Sequence, residues 1–458
     1  MTTPGTAGRA RPRRGDELEV EIDSLAHGGN GVARADGFVL FVRGAVPGDR
    51  VRVRLGKAKR SFAEADVIEM LSPSPDRVAP VAPHPGAPWQ VLPYERQLAE
   101  KESQVREALE RIGGFEDPPV GSILPAEQTL RYRNKVEYSF GTDEDGELML
   151  GFHRAGRWDL IDDVSEDILA SERVDELREV VKAWCREEGL SVYDRSDHTG
   201  LLRNLVVREG RRTGQLQARI VTSPGDFRAL ELAAAMPADS VLWTRAAGVA
   251  ETTRDGETEV LKGEERLDEE LLGLKFRISP DAFFQTNTEM AEVLYRTAAE
   301  AAGLSGREKV VDLYCGIGTI ALALALEADE VCGVEVVERA VADAIDNARL
   351  NGVDNARFFA GDVRTAMRPL LEQSGSPDIV VVDPPRAGLS QKIVRRVLEA
   401  EAKKIVYVSC NPTTLAPNAR QMVDAGYRLT SVTPVDMFPQ TPHIECVALL
   451  ERVDSAGS

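Results

Sequence analysis

The sequence predicts an α/β protein whose C-terminal part is a doubly wound parallel sheet, preceded by a small β-barrel and an α+β stretch. Three observations carry this. From about residue 283, apolar strands alternate with amphipathic helices, the pattern of repeated β-α-β units. Residues 16–70 read instead as short alternating strands punctuated by Gly and Pro turns, which indicates a small barrel. Between the two, strands and helices mix without regular alternation. The domains are accordingly placed at 12–71 (barrel), 75–280 (central) and 281–453 (parallel sheet).

In the barrel, ELEVEIDSL alternates, HGGNGVARADG is a Gly-rich turn, and the chain to Leu71 continues as strand, turn, strand, strand. Arg50, Arg52 and Arg54 fall at i, i+2, i+4 and share one strand face. Lys57, Lys59 and Arg60 extend it. That face is either a basic surface for single-stranded nucleic acid or a solvated strand face. SPSPDRVAPVAPHPGAPWQVLP is a Pro-rich linker or irregular packed loop. YERQLAEKESQVREALERIGGF has helical period and stops at Gly113-Gly114.

In the central stretch, RYRNKVEYSFG with LMLGFHRAG, and LLRNLVVREG with QLQARIVTS, read as two hairpins, and VDELREVVKAWCREEG as an amphipathic helix. Arg131, Arg133 and Lys135 alternate on one expected strand, where they either meet RNA phosphates or form a solvated face. Beyond residue 283 the order is KVVDLYC (strand), GIGTIALALALEA (helix), EVCGVEVV (strand), RAVADAIDNARLNG (helix), DIVVVDPP (strand), SQKIVRRVLEA (helix), KIVYVSCNP (strand) and HIECVALLERV (terminal strand).

Composition narrows the class. The 458 residues are 43% hydrophobic and 29% charged, as in ordinary soluble globular proteins. No apolar run approaches the roughly 20 residues that span a bilayer. The first 16 residues lack an apolar segment after their basic ones, so no secretory signal is read there. A cytoplasmic protein is expected. Its five cysteines are odd in number and widely spaced, which suits reduced thiols and leaves no CxxC pair for zinc. The net charge of −19 argues against nucleic acid as a far-field average, although local basic surfaces still bind. Arg9, Arg11, Arg13 and Arg14 precede the first acid, Asp16, in a tail that is either RNA-directed or a solubilising leader.

The segment Val310–Thr319 is a hydrophobic strand running into a Gly-rich turn that opens a helix. Its pattern is Asp312-x-x-x-Gly316-x-Gly318, not GxGxxG. Glycines there allow a ligand close to the backbone at the carboxyl edge of the sheet. The next strand ends in Glu335, where a carboxylate can take both ribose hydroxyls. A pyrophosphate needs the third glycine, so S-adenosylmethionine is favoured over a dinucleotide, with a plain nicotinamide unit as the alternative. Gly361-Asp362 ends a further strand at the place where an acid meets an adenine amino group. Asp383-Pro384-Pro385-Arg386 ends another. Amino-group methylases carry an aromatic residue where Arg386 stands, which speaks against an exocyclic amine as acceptor.

Cys410 ends the strand KIVYVSC at this same sheet edge, before Asn411-Pro412. Alone it reads as a buried structural cysteine. Beside a methyl donor it has a chemical use. Carbon 5 of uracil is a poor nucleophile until a thiolate adds to carbon 6 and makes an enolate, and a base must then remove the carbon 5 proton. Glu445, in TPHIE, is a carboxylate among apolar neighbours at the start of a late strand. An unpaired carboxylate there is costly, which favours a role as general base. His443 is a second candidate.

FFQTN (283–287), DLYCGIGT (312–319), DPPRAG (383–388), SCNP (409–412) and TPHIE (441–445) occur in the order and spacing of the RNA uracil-5-methyltransferases, which the chain resembles over nearly its whole length. Residues 12–71, with GGNGVAR and VPGDRV, are similar to the TRAM domain, an RNA-binding barrel of the OB type. The resemblance implies a Rossmann-like class I methyltransferase sheet in the C-terminal domain and S-adenosyl-L-methionine as methyl donor. It implies cofactor contacts at Gln285, Tyr314, Glu335 and Asp383. It implies Cys410 as nucleophile and Glu445 as proton acceptor. One departure is plain. Ribosomal RNA members often hold a [4Fe-4S] cluster on three cysteines before LPYxxQL and a fourth further on. Here VAPHPGAPWQVLPYERQL has no cysteine, and Asp167 or a neighbour stands at the fourth position, so no cluster and no metal site is expected.

The barrel favours 23S ribosomal RNA as substrate over the T-loop of transfer RNA. A uridine in a single-stranded loop would leave its stack to reach Cys410. The expected protein works as a monomer and without a membrane. The reading of another class is a catalytically inactive RNA-binding protein. Methylation of a small molecule or protein would leave the barrel without a purpose.

Overall fold

The computed structural model describes residues 13–453 apart from 36, 155 and 249–255. Arg9 and Arg11 of the basic tail lie outside the described residues, whereas Arg13 and Arg14 are exposed. The chain groups into two compact units. One holds the described residues up to Val81 together with 87–104 and Pro439–His443, and the other holds 82–86, 105–438 and the chain from Ile444.

The first unit is built on β1 (Glu17–Glu21), β2 (Ser24–Leu25), β3 (Gly31–Ala35), β4 (Phe38–Arg43), β5 (Arg50–Ala58) and β6 (Phe62–Ser72). They form one sheet in the order β1-β5-β6-β4-β3-β2. Strand alternation is sharp in β5: Val51, Val53 and Leu55 join the core while Arg50, Arg52 and Arg54 face outward together. That outward face is not a free positive surface. The β1–β5 register sets Glu17 opposite Arg54 and Glu19 opposite Arg52. Arg54 binds Glu17 at 2.9 Å, Arg52 binds Glu19 at 3.0 Å and also Glu69, and Arg50 lies 3.6 Å from Glu19. The face is a lattice of exposed, solvent-screened ion pairs.

α1 (Tyr94–Arg111) contributes its first half to this unit. The Pro-rich segment before it packs rather than dangles: Trp89 is buried with Leu25, Val46 and Leu92. Gln97, fully buried, donates to the carbonyls of Trp89 and Leu92 and to Gln440 Oε1, and its own Oε1 accepts from Gln440 N. This amide fixes Gln440 within the segment Pro439–His443. Gln97→Leu is expected to lower unfolding free energy by roughly 2 kcal/mol, because buried acceptors lose their donor. Urea denaturation checks this.

The second unit contains two seven-stranded sheets. The first comprises β7 (Lys135–Thr142), β8 (Leu148–Arg154), β9 (Arg157–Asp163), β10 (Leu202–Glu209), β11 (Leu216–Thr222), β12 (Ser240–Arg245) and β13 (Glu257–Lys262), in the order β13-β12-β11-β10-β7-β8-β9. Both expected hairpins are present, β7–β8 and β10–β11. α2 (Glu172–Glu187), capped by Ser171, buries Val174, Leu177, Val181 and Cys185 against it, and α3 (Ala229–Ala235) adds Leu232 and Ala233. The expected strand face of Arg131, Arg133 and Lys135 is not formed. The strand begins only at Lys135. Arg131 sits at φ 54 and binds Glu166 at 2.5 Å, and the Arg133 backbone bridges to Ala170 and Asn287. Lys135 is taken by Glu137 at 2.5 Å.

The segment 82–86 places His84 Nε2 2.9 Å from Asp167 Oδ1. Tyr138 Oη donates to Oδ2 at 2.7 Å, and the amides of Leu169 and Ala170 donate to Oδ1. Burial alone would raise the Asp167 pKa, but His84 and these donors outweigh it and hold the acid down at about 2. A charged, fully hydrogen-bonded carboxylate thus occupies the position compared above with a fourth thiolate. Among the described residues no group of three or more His, Cys, Asp or Glu is arranged to hold a metal ion.

After the hairpin β14 (Leu267–Leu271) and β15 (Leu274–Ile278) comes α4 (Thr288–Ala302), capped by Asn287. The second large sheet follows: β16 (Lys309–Leu313), α5 (Thr319–Ala325), β17 (Glu330–Glu335), α6 (Glu338–Leu350), β18 (Ala356–Ala360), α7 (Val363–Ser374), β19 (Ile379–Val382), α8 (Gln391–Glu399), β20 (Lys404–Ser409), α9 (Pro412–Asp424), β21 (Tyr427–Val435) and β22 (Glu445–Arg452). The order is β18-β17-β16-β19-β20-β22-β21, a Rossmann-like α/β sheet as expected. Strand order reverses between β16 and β19, which makes their carboxyl ends the crevice for a ligand. The expected all-parallel pattern fails at one edge. β22 runs antiparallel to β20 and to β21, and this reversal points the start of β22 toward the end of β20. No helix among the described residues is long and apolar enough to cross a membrane.

Candidate active site

The β16–α5 turn carries the Gly-rich motif. Tyr314 has φ 66, a left-handed conformation rarely held by a non-glycine residue, and its amide is fixed to the Val334 carbonyl at 2.9 Å. Gly316 has φ 56, and a Cβ there would meet nothing within 4 Å, so the turn leaves open space above its backbone. Gly318 is different: its φ is 86 and a Cβ would press on Phe358 at 3.0 Å. Glu335, at the end of β17, accepts from Gly316 N at 3.2 Å and from Val337 N at 2.9 Å. One carboxylate therefore pins the turn and is itself aimed. Burial raises the half-buried Tyr314 phenol, with Asp362 and Glu335 among the nearby charges, so these three residues share one side of the crevice. Asp362 caps α7 through Arg364 N at 2.9 Å.

The other side of the crevice holds Asp383, Cys410 and Glu445. Ser409 pairs with Cys446 as the last step of the β20–β22 ladder, so Cys410, the residue after β20, and Glu445, the first of β22, lie at the same end of it, close enough for the Glu445 charge to act on the Cys410 thiol. All five cysteines are free; Cys410 alone is part-exposed and the other four are buried. Asn411 caps α9 by accepting from Thr413 N at 3.0 Å, and its Nδ2 donates to the Arg386 carbonyl at 3.1 Å. Asn418 of the same helix accepts from Leu389 N and donates to Leu389 O. The Cys410 loop and the Asp383-Pro384-Pro385-Arg386 loop are thereby fastened together.

Electrostatics bear out the crowding of acids. Burial pushes the Cys410 thiol up to about 11, with Glu445 and Asp383 adding to the rise and Arg386 opposing it. Burial raises Asp383 to about 7. Glu445 is 4% exposed, its Oε2 has no hydrogen-bond partner, and burial beside Asp383 lifts it well above the carboxylate range. In the resting protein this side of the site is a neutral thiol among largely neutral acids. A positive charge placed among them would ionise them.

Gln285 is held by a separate anchor. It is buried, and its carbonyl accepts from Asn134 Nδ2 at 2.8 Å. Asn287, two residues on, donates to the Met437 carbonyl at 2.9 Å. No hydrogen bond joins the Gln285 side chain to the other site residues. His443 belongs to the first compact unit, its amide donating to Thr441 Oγ1 at 3.2 Å.

Two residues escaped the sequence reading. Asp312 is fully buried in β16, and burial, with Asp383 adding to it and the Ala321 amide opposing it, raises it well above its usual range. An acid in the apolar run KVVDLYC was visible by the criterion applied to Glu445. Tyr295 of α4 is buried and its hydroxyl accepts from Thr319 Oγ1 at 3.3 Å, with Asp383, Glu445 and Asp312 as its charged surroundings. No local pattern marks that tyrosine; only helix packing brings it there.

Residues 253–453 match the family described as tRNA (Uracil-5-)-methyltransferase, and residues 11–68 match the TRAM domain. An uncharacterized RNA methyltransferase of Chlorobaculum tepidum is 41% identical, spanning 99% of this chain and 100% of its own. Another, from Porphyromonas gingivalis, is 40% identical over 94% of this chain and 99% of its own. The solved structure of Pyrococcus abyssi tRNA (uracil-54, C5)-methyltransferase in complex with S-adenosyl-L-homocysteine superposes with a TM-score of 0.78 at 31% identity, covering 94% of this chain and 100% of that one. The open backbone above Gly316, the aimed Glu335 carboxylate and the acid-rich crevice fit the adenosine and cationic sulfonium of such a donor. With sequence likeness running end to end, the chain belongs to the S-adenosylmethionine-dependent RNA uracil-5-methyltransferases.

Proposed function

We propose that the protein forms 5-methyluridine in 23S ribosomal RNA through a covalent bond between Cys410 and carbon 6 of the target uracil. The observation that supports this most is that Cys410, just past the end of β20, and Glu445, at the start of β22, meet at the carboxyl edge of the sheet. S-adenosylmethionine, bound by Gln285, Tyr314, Glu335 and Asp383, supplies an electrophilic methyl group and a positive charge. Cys410 gives its proton to water, and the thiolate adds to carbon 6 while the ring electrons move onto O4. The enolate then uses that pair to form the carbon 5–methyl bond while the methyl–sulfonium bond breaks, its electron pair staying on sulfur so that S-adenosylhomocysteine leaves. Glu445, ionised, takes the carbon 5 proton. The C–H electrons restore the ring double bond and the carbon–sulfur pair returns to Cys410.

A transfer RNA uridine is the second reading, and a specific observation favours it. The Pyrococcus abyssi enzyme is named for transfer RNA uracil 54, and coverage of 94% of this chain leaves no room for the barrel to be missing from it. A barrel of this kind therefore does not separate the two substrates. Mass spectrometry of ribosomal and transfer RNA from a deletion strain tests the choice. Loss of 5-methyluridine from 23S RNA alone is expected; loss from transfer RNA alone selects the second reading.

The Asp383 shift gives a pH prediction. Its folded pKa, about 7, exceeds the ordinary 3.8, so the folded state holds the proton more tightly and loses stability as pH rises through that window. Asp383→Asn is expected to melt like wild type at pH 4 and above it at pH 8 without cofactor. S-adenosylmethionine affinity of the wild type should rise between pH 6 and 8 as the carboxylate ionises, and the variant should lack that rise. Thermal shift and calorimetry at several pH values check both.

A further inference from the structure

The first seven-stranded sheet carries a cavity of about 560 Å³ that the methyl-transfer site does not use. It lies at the end of β7 and the start of β10, beside the chain from Leu190 to Ser196. The size falls within the roughly 300–1,000 Å³ of pockets that take small ligands, enough for one nucleotide.

Arg203 gives the cavity its character. Its guanidinium is stacked 3.8 Å from the centre of the Tyr193 ring. Arg203 is buried at 8% exposure, and its hydrogen bonds go to neutral acceptors, Ser223 Oγ at 2.9 Å and the Gly248 carbonyl at 2.7 Å. No carboxylate pairs with it among the described residues. Two neighbouring arginines of this sheet are paired with acids, Arg219 with Asp281 at 2.6 Å and Arg245 with Glu259 at 2.9 Å. A buried cation left without an anion is costly, which points to a ligand that brings one. The two acids at the rim are already engaged, Asp159 by Arg157 and Asp194 by the Ser196 amide. Asn204, at the cavity wall, offers an amide anchored to Ser139 Oγ at 3.1 Å. An aromatic face, a guanidinium plane and an amide together are what a single unstacked RNA base and its phosphate require.

We propose that this cavity is a second nucleotide pocket, which receives one unstacked nucleotide of the RNA with its base on Tyr193 and its phosphate drawn to Arg203. The proposal rests on RNA being the substrate and adds where a residue outside the target uridine is held. Tyr193 is only part-buried, so its replacement is tolerable to the fold.

The test is fluorescence anisotropy of a labelled single-stranded oligoribonucleotide of mixed sequence with the full chain, in the presence of S-adenosylhomocysteine. Tyr193→Ala is expected to weaken RNA binding about tenfold and Tyr193→Phe by less than about twofold, as for a lost and a retained stacking platform. Circular dichroism and S-adenosylhomocysteine affinity should stay unchanged. Ultraviolet crosslinking should map RNA to the peptide containing Tyr193. An unchanged RNA affinity in Tyr193→Ala, with or without free uridine monophosphate bound, overturns the proposal. Tritiated methyl transfer by the wild type is followed in parallel. Failure there sinks uridine methylation while the anisotropy difference still decides the pocket.

Discussion

Cys410→Ala is expected to abolish methyl transfer, lowering turnover by roughly 10⁴-fold or more, while S-adenosylmethionine binding stays within about twofold of wild type. The size follows from the chemistry. Without addition at carbon 6 the ring carbon 5 has no enolate to push against the methyl group, and neighbouring residues cannot substitute for a missing sulfur. Cofactor binding survives because Cys410 stands at the end of β20, while Tyr314, Glu335 and the open Gly316 backbone lie at the ends of β16 and β17. Single-turnover assays with tritiated donor measure the first effect and calorimetry the second. Retained turnover would remove covalent catalysis by this residue. The thiol's pKa of about 11 adds a companion observation: without RNA and cofactor, alkylation of Cys410 should be slow at pH 7.5 and accelerate toward pH 11.

Legibility of the fold followed the range of the forces involved. The parallel sheet announced itself because each strand buried on both faces must be a continuous apolar run, as in Ile379–Val382. The Gly-rich turn did so because Gly316 and Gly318 both take positive φ. What was not legible depended on partners distant in sequence. Nothing in RVRVRLG says that Glu17, Glu19 and Glu69 will stand beside the arginines of β5, which is fixed by strand register. Arg131 and Arg133 look like an alternating strand, yet the left-handed turn at Arg131 breaks it. Glu445 was visible as a chemical oddity, whereas Cys410 gained meaning only from its place at the sheet edge beside the Gly-rich motif. Their meeting at one end of the ladder required the antiparallel reversal of β22, and a purely parallel reading of the sheet does not contain it.

The same reversal sets the second large effect, Glu445→Gln, which is expected to accumulate an RNA–protein adduct that survives denaturing gels. After methyl transfer, carbon 5 carries both the new methyl group and its original proton, and the carbon–sulfur bond breaks only when that proton leaves. A carboxylate can take it; an amide cannot. The substitution keeps the shape of the side chain and keeps the fold, because burial already holds the resting acid neutral and leaves its Oε2 without a hydrogen bond. The forward half of the reaction therefore proceeds and the release half stalls, with turnover falling by about 10²–10⁴-fold. The trapped band should contain tritium from the donor methyl group as well as labelled RNA, and should vanish when Cys410→Ala is combined with Glu445→Gln. A band lacking tritium would place Glu445 before methyl transfer. Normal turnover without any band would move the base to another group in the same crevice, with Asp383 the first to examine.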